Sequence, residues 1–250
     1  MARRSEAVVI PVAALLAGFA AFSLFLLLLG KSPVEFFALV YKAGFGTAFS
    51  WQNTLSRTAP LLLAALCVAL PARLGLVVIG GEGAIVLGGV TTGADGVALA
   101  GWPAWLGLSI MASAGALAGA LWIGAVGALR YWRGVNETIA SLLMAYIAIA
   151  LMNHLVEGPL RDPASLNKPS TAPLPDALRV GDMPGWDVHW GLAAGVLLCI
   201  LAWVLIDRTT WGFAARIAGA NIRAAQVQGL PVGWLIVGFT ALGGACAGLG

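Results

Sequence analysis

A single glutamate stands inside the most glycine-rich apolar stretch of the chain, where its type and surroundings favour the chemistry of solute or ion passage. Glu82 is flanked by Gly80, Gly81 and Gly83 and follows Arg73 by nine residues. Nine residues of helix advance about 13 Å, which is close to the middle of a hydrocarbon core about 30 Å thick. An ionisable side chain at that depth is costly, so Glu82 is a candidate functional residue.

The glycines around Glu82 predict a broken helix, because so many glycines weaken a regular helix. The second half of a broken helix begins with backbone N–H groups that can hold a carboxylate or a solute hydroxyl. Two interpretations of Glu82 stay open at this point. It either accepts those N–H groups and braces the break, or it lines a translocation path.

A second motif predicts the start of a later helix. Asn136 suits the N-cap position, where its side chain accepts a backbone hydrogen bond, and Glu137 falls in the first turn, near the positive end of the helix dipole. On the residues alone, this pair is a structural motif.

A third motif predicts a short capped helix. Asn221 is a good N-cap, residues 222–228 form the helix, Gly229 ends it and Pro231 prevents its continuation. A capped helix of this kind, within residues 207–231, favours contact with a partner. Its small residues, Ala224 and Ala225, would let a partner surface approach closely.

The sequence lacks the motifs that ATP binding, metal binding and hydrolysis would require. Residues 30–32 resemble the end of a phosphate-binding loop, but Phe25 stands where the first glycine is needed. The three cysteines have no metal-site spacing, and no hydrolase or metalloprotease motif occurs in the sequence. We therefore predict no catalytic residues, no metal and no cofactor.

The composition decides which elements position these residues. Of 250 residues, 60% are apolar and 10% are charged, against about a quarter charged in a soluble domain. The net charge of +3 is scattered, which excludes nucleic-acid binding. The prediction is an all-α, polytopic transmembrane bundle forming a single domain over residues 1–250, embedded in membrane lipid. Seven spans are predicted, at residues 7–29, 53–72, 74–92, 103–129, 138–156, 190–206 and 232–250.

The distribution of charge predicts the orientation. With the N-terminus inside, the inner side carries eight of the 14 Lys and Arg and three of the 11 acidic residues, whereas the outer side carries six and seven. The positive-inside rule therefore places the N-terminus in the cytoplasm. Residues 207–231 become a cytoplasmic segment, and the proline-rich residues 157–187 become an ordered periplasmic loop. Because the last span runs apolar to Gly250, we expect the sequence to be a C-terminally truncated piece.

Four further stretches carry a joint signal: LGLVVIGGEGAIVLGG at 74–89, GVNETIASLLMAYI at 134–147, GPLRDP at 158–163 and TWGFAARIAGANIRAAQVQG at 210–229. In this order they resemble the permeases of bacterial ATP-binding cassette (ABC) importers for simple sugars and nucleosides, closest to the nucleoside branch. The last stretch is the most specific of the four, because glycines, Arg216 and the cap residue keep a fixed spacing. Val78 and Ala84 stand where the family usually has Asn and Gln, and Ile222 stands where Pro commonly follows the cap.

The resemblance implies a translocation path for a small polar solute in the bacterial inner membrane. It implies three partners, namely ATPase subunits, a second permease that is identical or a sister, and an extracytoplasmic solute-binding protein. It also implies that ATP is hydrolysed on the ATPase and that the coupling helix is carried by residues 207–231. The coupling residues implied are Gly212, Arg216, Gly219, Asn221, Ala224, Ala225 and Gly229. An ion-coupled secondary transporter using Glu82 is the alternative.

Overall fold

The computed structural model describes residues 2–165 and 168–250, with side chains from residue 9 onward. In these residues the chain is helical and contains no β-strand, only one isolated bridge between Asp182 and His189. The all-α prediction is confirmed. The helices are α1 (Ala2–Leu28), α2 (Pro33–Phe45), α3 (Ala48–Ala72), α4 (Gly81–Ala98), α5 (Ala104–Arg133), α6 (Glu137–Glu157), α7 (Gly191–Arg208), α8 (Thr210–Ala220), α9 (Ile222–Val227) and α10 (Val232–Gly248).

Five of these helices are long and apolar enough to cross a membrane, and they match five of the seven predicted spans. They are Val9–Leu28, Ala48–Ala72, Ala104–Arg133, Glu137–Glu157 and Gly191–Arg208. The last predicted span is the shorter apolar helix Val232–Gly248. The third predicted span, residues 74–92, is only partly helical, because its first half is extended and its helix begins at Gly81.

The chain divides into two compact units, of which the first comprises residues 1–54. Its helix α2 was not predicted. Ser32 caps this helix by accepting the backbone N–H of Glu35 at 3.3 Å, and Pro33 occupies the first helical position. A serine, a proline and a glutamate at this spacing are a recognised helix-start signal. Phe22 on α1 makes edge-on ring contacts with Phe36 and Phe37 of α2.

The second unit, residues 55–250, is organised around α5 and α10. Gly115 and Gly119 on α5 face Gly244 and Gly248 on α10, so closely that a Cβ on any of them would collide with the opposing backbone. Small residues four apart are the usual means by which membrane helices approach each other. Helix α4 packs against α5, α6 and α10. The close approach of α5 and α10 therefore forms the scaffold against which α4 is placed.

The proline-rich stretch 157–187 is non-helical over most of its described residues, as predicted. A 3₁₀ helix is present at Asp176–Leu178. Leu178 is buried and occupies the space beside Gly107 on α5. Leu174 occupies the space beside Gly96 on α4. The loop is thus anchored to the ends of two helices by leucines set against glycines.

Candidate functional site

The site begins with a tight turn that follows α3. Gly75 adopts φ +72°, a left-handed conformation that glycine reaches without strain, and it reverses the chain after Ala72. Residues 76–79, called here the extended segment, then run without helical hydrogen bonds. Leu76 and Val78 are buried, whereas Val77 and Ile79 are exposed, which is the two-residue alternation of a strand.

The extended segment carries the chain quickly into the bundle. Four extended residues advance about 13 Å, whereas four helical residues advance about 6 Å. Its β-branched residues favour this backbone. The extended conformation also leaves backbone groups without helical partners, and an irregular backbone at membrane depth persists only where those groups are satisfied.

Side chains from the first turns of α6 satisfy that backbone. Val77 donates its N–H to Oε1 of Glu137 at 3.4 Å, and its carbonyl accepts the hydroxyl of Thr138 at 2.8 Å. Ile79 donates its N–H to Oγ of Ser141 at 3.2 Å. Glu137, Thr138 and Ser141 are called here the α6 clamp. Leaving one such backbone N–H buried without an acceptor costs about 1–3 kcal/mol.

The clamp carboxylate is held by an ion pair, and the helix start that carries it is capped. Glu137 is 8% exposed, and its Oε2 lies 3.3 Å from Nε of Arg130, at the last turn of α5. Asn136 caps α6 by accepting the N–H of Ile139 at 3.1 Å, which confirms the predicted N-cap. One carboxylate therefore ties together the end of α5, the start of α6 and the extended segment.

The glycines at the start of α4 permit close contact with α6. A Cβ on Gly80 would overlap the backbone of Ser141, and a Cβ on Gly83 would lie 2.9 Å from Cα of Ala145. The indole of Trp122 also lies against Gly83, and its buried N–H has no acceptor among the described residues. These glycines are therefore required by packing, and any contact with solute would be additional.

Glu82 lies in the first turn of α4, and its side chain is exposed on the surface of the unit. In the described part of the chain, no hydrogen bond or ion pair of its carboxylate occurs. The N-cap residue Gly80 also provides no side-chain acceptor for the first N–H groups of α4. The bracing interpretation of Glu82 is not supported, since the α6 clamp supplies the bracing. Sequence analysis missed Thr138, Ser141 and Arg130, whose partners lie far away in the sequence or across a helix end.

The predicted short helix is present at residues 222–227, and a second helix precedes it. Asn221 caps α9 by accepting the N–H of Ala224 at 3.0 Å, and Gly229 adopts φ +76° just beyond its end. Both predictions are confirmed. Helix α8 was not predicted, although Thr209 caps it by accepting the N–H of Gly212 at 3.2 Å.

Two glycines of this segment serve packing. A Cβ on Gly212 would collide with the carbonyl of Ile206, and one on Gly219 would lie 2.5 Å from the carbonyl of Arg73. Gly219 therefore places the end of α8 directly against the turn that leads into the extended segment. A side chain at either position would separate these backbones.

Ala225 is not exposed for contact with a partner, although the sequence analysis predicted that it would be. It is fully buried, in a cluster that includes Ala218 and Val232. Its neighbours on α9 are exposed instead, including Ala224, Arg223 and, at 89%, Val227. The error arose because sequence alone did not show which face of so short a helix would pack on the chain.

Arg216 is also exposed, and it pairs with Asp207 at 3.3 Å. Side chains of both residues are between a third and a half exposed, so solvent screens this pair, and it contributes about 0–1 kcal/mol. The pair links the end of α7 with α8 without burying charge. Among the residues described, no group of His, Cys, Asp and Glu could hold a metal ion.

Five helices long and apolar enough to cross a membrane, an extended segment leading into a helix start and an exposed capped helix are features that polytopic transport proteins share. Residues 50–250 match the model of the family described as branched-chain amino acid transport system / permease component. The chain belongs to this family of permeases, which confirms that it is a transport subunit of the class the sequence resembled.

Two relatives are at least 30% identical to the chain. The glucose ABC transporter permease protein TsgB13 of Haloferax volcanii is 34% identical over 96% of this chain and 66% of its own length. The guanosine ABC transporter permease protein NupP of Bacillus subtilis is 30% identical over all of this chain and 72% of its own length.

A third relative, the nucleoside ABC transporter permease protein NupB of Lactococcus lactis subsp. cremoris, is 22% identical over all of this chain and 71% of its own length. The chain thus spans about two thirds to three quarters of the length of these relatives. No solved structure matches the chain significantly.

Proposed function

We propose that the chain is the translocation subunit of an ABC importer in a bacterial inner membrane, with its N-terminus in the cytoplasm. It carries a small polar solute, a nucleoside or a simple sugar, and does no covalent chemistry. Membership of a permease family supports this proposal, as do relatives named for glucose, guanosine and nucleoside transport. ATP is hydrolysed on separate ATPase subunits.

The observation that carries the proposal is the exposed carboxylate of Glu82. A charged side chain near the middle of a bilayer is costly, and such groups face a water-filled cavity or a protein interior. Glu82 is exposed on this chain and has no partner in its described residues. The face around Glu82 therefore lines an aqueous path that a second permease, identical or a sister, completes.

The chemistry of this face suits a hydroxyl-rich solute. The Glu82 carboxylate accepts hydrogen bonds, and the first turn of α4 offers backbone N–H groups without a side-chain cap. The hydroxyls of a ribose or hexose donate hydrogen bonds to the Glu82 carboxylate and accept them from these backbone N–H groups. The exposed Val77 and Ile79 supply apolar surface beside them.

The segment of residues 207–231 is the part that contacts the ATPase. Helix α9 is capped at both ends, fixed to the chain by Ala225 and exposed on its other residues. Val227→Glu should abolish co-purification of the ATPase while the permease still inserts. Val135→Glu, at another exposed valine, is the control and should leave ATPase binding intact. Unchanged ATPase binding in Val227→Glu would show that this surface is not the contact.

Uptake by the assembly reconstituted with its ATPase and solute-binding protein tests the function. Glucose, guanosine and other nucleosides should be tested separately at constant ATP. Glu82→Gln should raise the KM for the transported solute about tenfold, because a charge-assisted hydrogen bond is lost. Asp95→Asn, on the same helix, is the control. Uptake that stops when the proton gradient is collapsed would instead establish an ion-coupled transporter.

A further inference from the structure

The α6 clamp touches no solute in the proposed function, yet it controls the segment that leads to Glu82. Ile79, which donates to Ser141, stands three residues before Glu82, and Val77 exchanges hydrogen bonds with two clamp residues. We propose that Glu137, Thr138 and Ser141 are positioning residues for solute recognition, acting through the extended segment on Glu82. This inference rests on the proposed role of Glu82.

The α6 clamp can fix the position of the extended segment because it bonds both backbone polar groups of Val77. The N–H and the carbonyl of Val77 both bond to α6, at 3.4 and 2.8 Å, so rotation about either neighbouring peptide breaks a bond. The third bond, at Ile79, fixes the next exposed residue. These three bonds fix the register of the extended segment along α6, as ladder hydrogen bonds fix the register of two neighbouring strands.

Burial of Ser141 keeps water away from its end of the clamp. Ser141 is completely buried, and its hydroxyl also donates to the carbonyl of Thr138 at 3.0 Å. This donation leaves the Ser141 oxygen oriented as an acceptor for Ile79. The clamp is therefore a connected network in which each hydroxyl has one defined direction.

The contact between backbones transmits this register to the helix that carries Glu82. Gly80 lies directly on the backbone of Ser141, and α4 begins at the next residue. A shift of the extended segment along α6 would move Gly80 off this contact and displace the first turn of α4. Weakening the clamp should therefore change solute affinity before it changes the rate of turnover.

Thr138 provides the most informative variants, because it is only partly buried and has two matched substitutions. Thr138→Val keeps the shape and removes the hydroxyl that bonds Val77, whereas Thr138→Ser keeps the hydroxyl. Ser113→Ala removes an exposed hydroxyl that bonds only within its own helix, and serves as the control. Each variant is reconstituted with ATPase and solute-binding protein, and uptake is measured with glucose and with guanosine.

We expect Thr138→Val to raise the KM about five- to tenfold with kcat within twofold, as loss of one hydrogen bond predicts. Thr138→Ser and Ser113→Ala should keep the parent KM. Because the clamp acts through Glu82, adding Thr138→Val to Glu82→Gln should raise the KM little further.

The proposal is overturned if Thr138→Val leaves the KM unchanged while Glu82→Gln raises it. It is also overturned if Thr138→Val lowers only the amount of folded protein, or if its effect multiplies with that of Glu82→Gln. An unchanged KM in Glu82→Gln would instead reject the solute contact of the proposed function, and a raised KM in Thr138→Val would then require another target.

Discussion

The extended segment and the segment of residues 207–231 satisfy their backbones in opposite ways. Val77 and Ile79 bond to side chains about sixty residues away on α6. Helices α8 and α9 are instead capped by Thr209 and Asn221, each bonding to an N–H three residues further on. The first arrangement couples two elements of the bundle, whereas the second completes a helix by itself. Removing a long-range bond should therefore shift the extended segment relative to α6. Removing a local cap should disturb only the helix that it caps.

The largest effect is expected at Gly80, whose backbone is in direct contact with the backbone of α6. Gly80→Ala would place a methyl group within the main chain of Ser141, which cannot rotate away as a flexible side chain would. Overpacking of this kind costs about 1–3 kcal/mol, and more when the backbone must move. We expect a loss of most folded protein, measured by size-exclusion chromatography in detergent.

Gly89→Ala is the matched control, because Gly89 lies on α4, the helix that Gly80 precedes, and its added Cβ would meet no atom of another element within 4 Å. It should retain the folded yield of the parent. A folded yield for Gly80→Ala equal to that of Gly89→Ala would mean that α4 and α6 are further apart than the structure places them.

The next effect compares the Arg130–Glu137 and Arg216–Asp207 ion pairs, which have equal distances and unequal burial. Glu137→Leu removes the acceptor of the Val77 N–H and the partner of Arg130, and should lower the free energy of unfolding by about 2–3 kcal/mol. Glu137→Gln keeps an oxygen acceptor and should cost less. Asp207→Leu breaks the exposed pair at the same 3.3 Å and should cost less than about 1 kcal/mol.

Thermal unfolding in one detergent, at one salt concentration, measures this ranking. A loss for Asp207→Leu as large as that for Glu137→Leu would remove the distinction between the buried clamp and the exposed segment. Added salt should reduce the Asp207 contribution more than the Glu137 contribution, because Glu137 is the less exposed of the two carboxylates and screening acts most strongly on exposed charges.

The smallest effect concerns the cap of α9. Asn221→Ala should cost about 1 kcal/mol, because the N–H of Ala224 loses its side-chain acceptor. The disturbance should stay in α9, so we expect ATPase binding to weaken while the KM for solute stays at the parent value. Co-purification of the ATPase and uptake kinetics measure the two quantities. A changed KM would show that the cap, like the clamp, acts at a distance.

The features that sequence predicted are those whose causes are local. The caps at Asn136 and Asn221 and the turn at Gly229 follow from neighbouring residues, and the apolar runs predict the long helices. Helix α2 was missed although the spacing of Ser32, Pro33 and Glu35 contains its start signal.

The clamp could not be predicted, because its donors and acceptors belong to elements that only the tertiary fold brings together. The glycine-rich stretch predicted a break near Glu82 but not its form, since glycine permits both a kinked helix and an extended chain. The burial of Ala225 depends on how α9 packs against α8 and α10, which a helix of six residues does not encode in its own pattern.

The central claim is that the exposed carboxylate faces water, whereas exposed leucines of the same unit face lipid. Glu82→Cys and, separately, Leu121→Cys on α5 should be placed in a variant whose three native cysteines are replaced by alanine. In the reconstituted importer, a charged, membrane-impermeant thiol reagent should modify the cysteine at position 82 rapidly, and transported solute should slow the reaction. The cysteine at position 121 should react slowly, with or without solute. Equal, slow modification at both positions would place Glu82 outside any aqueous path and contradict the account.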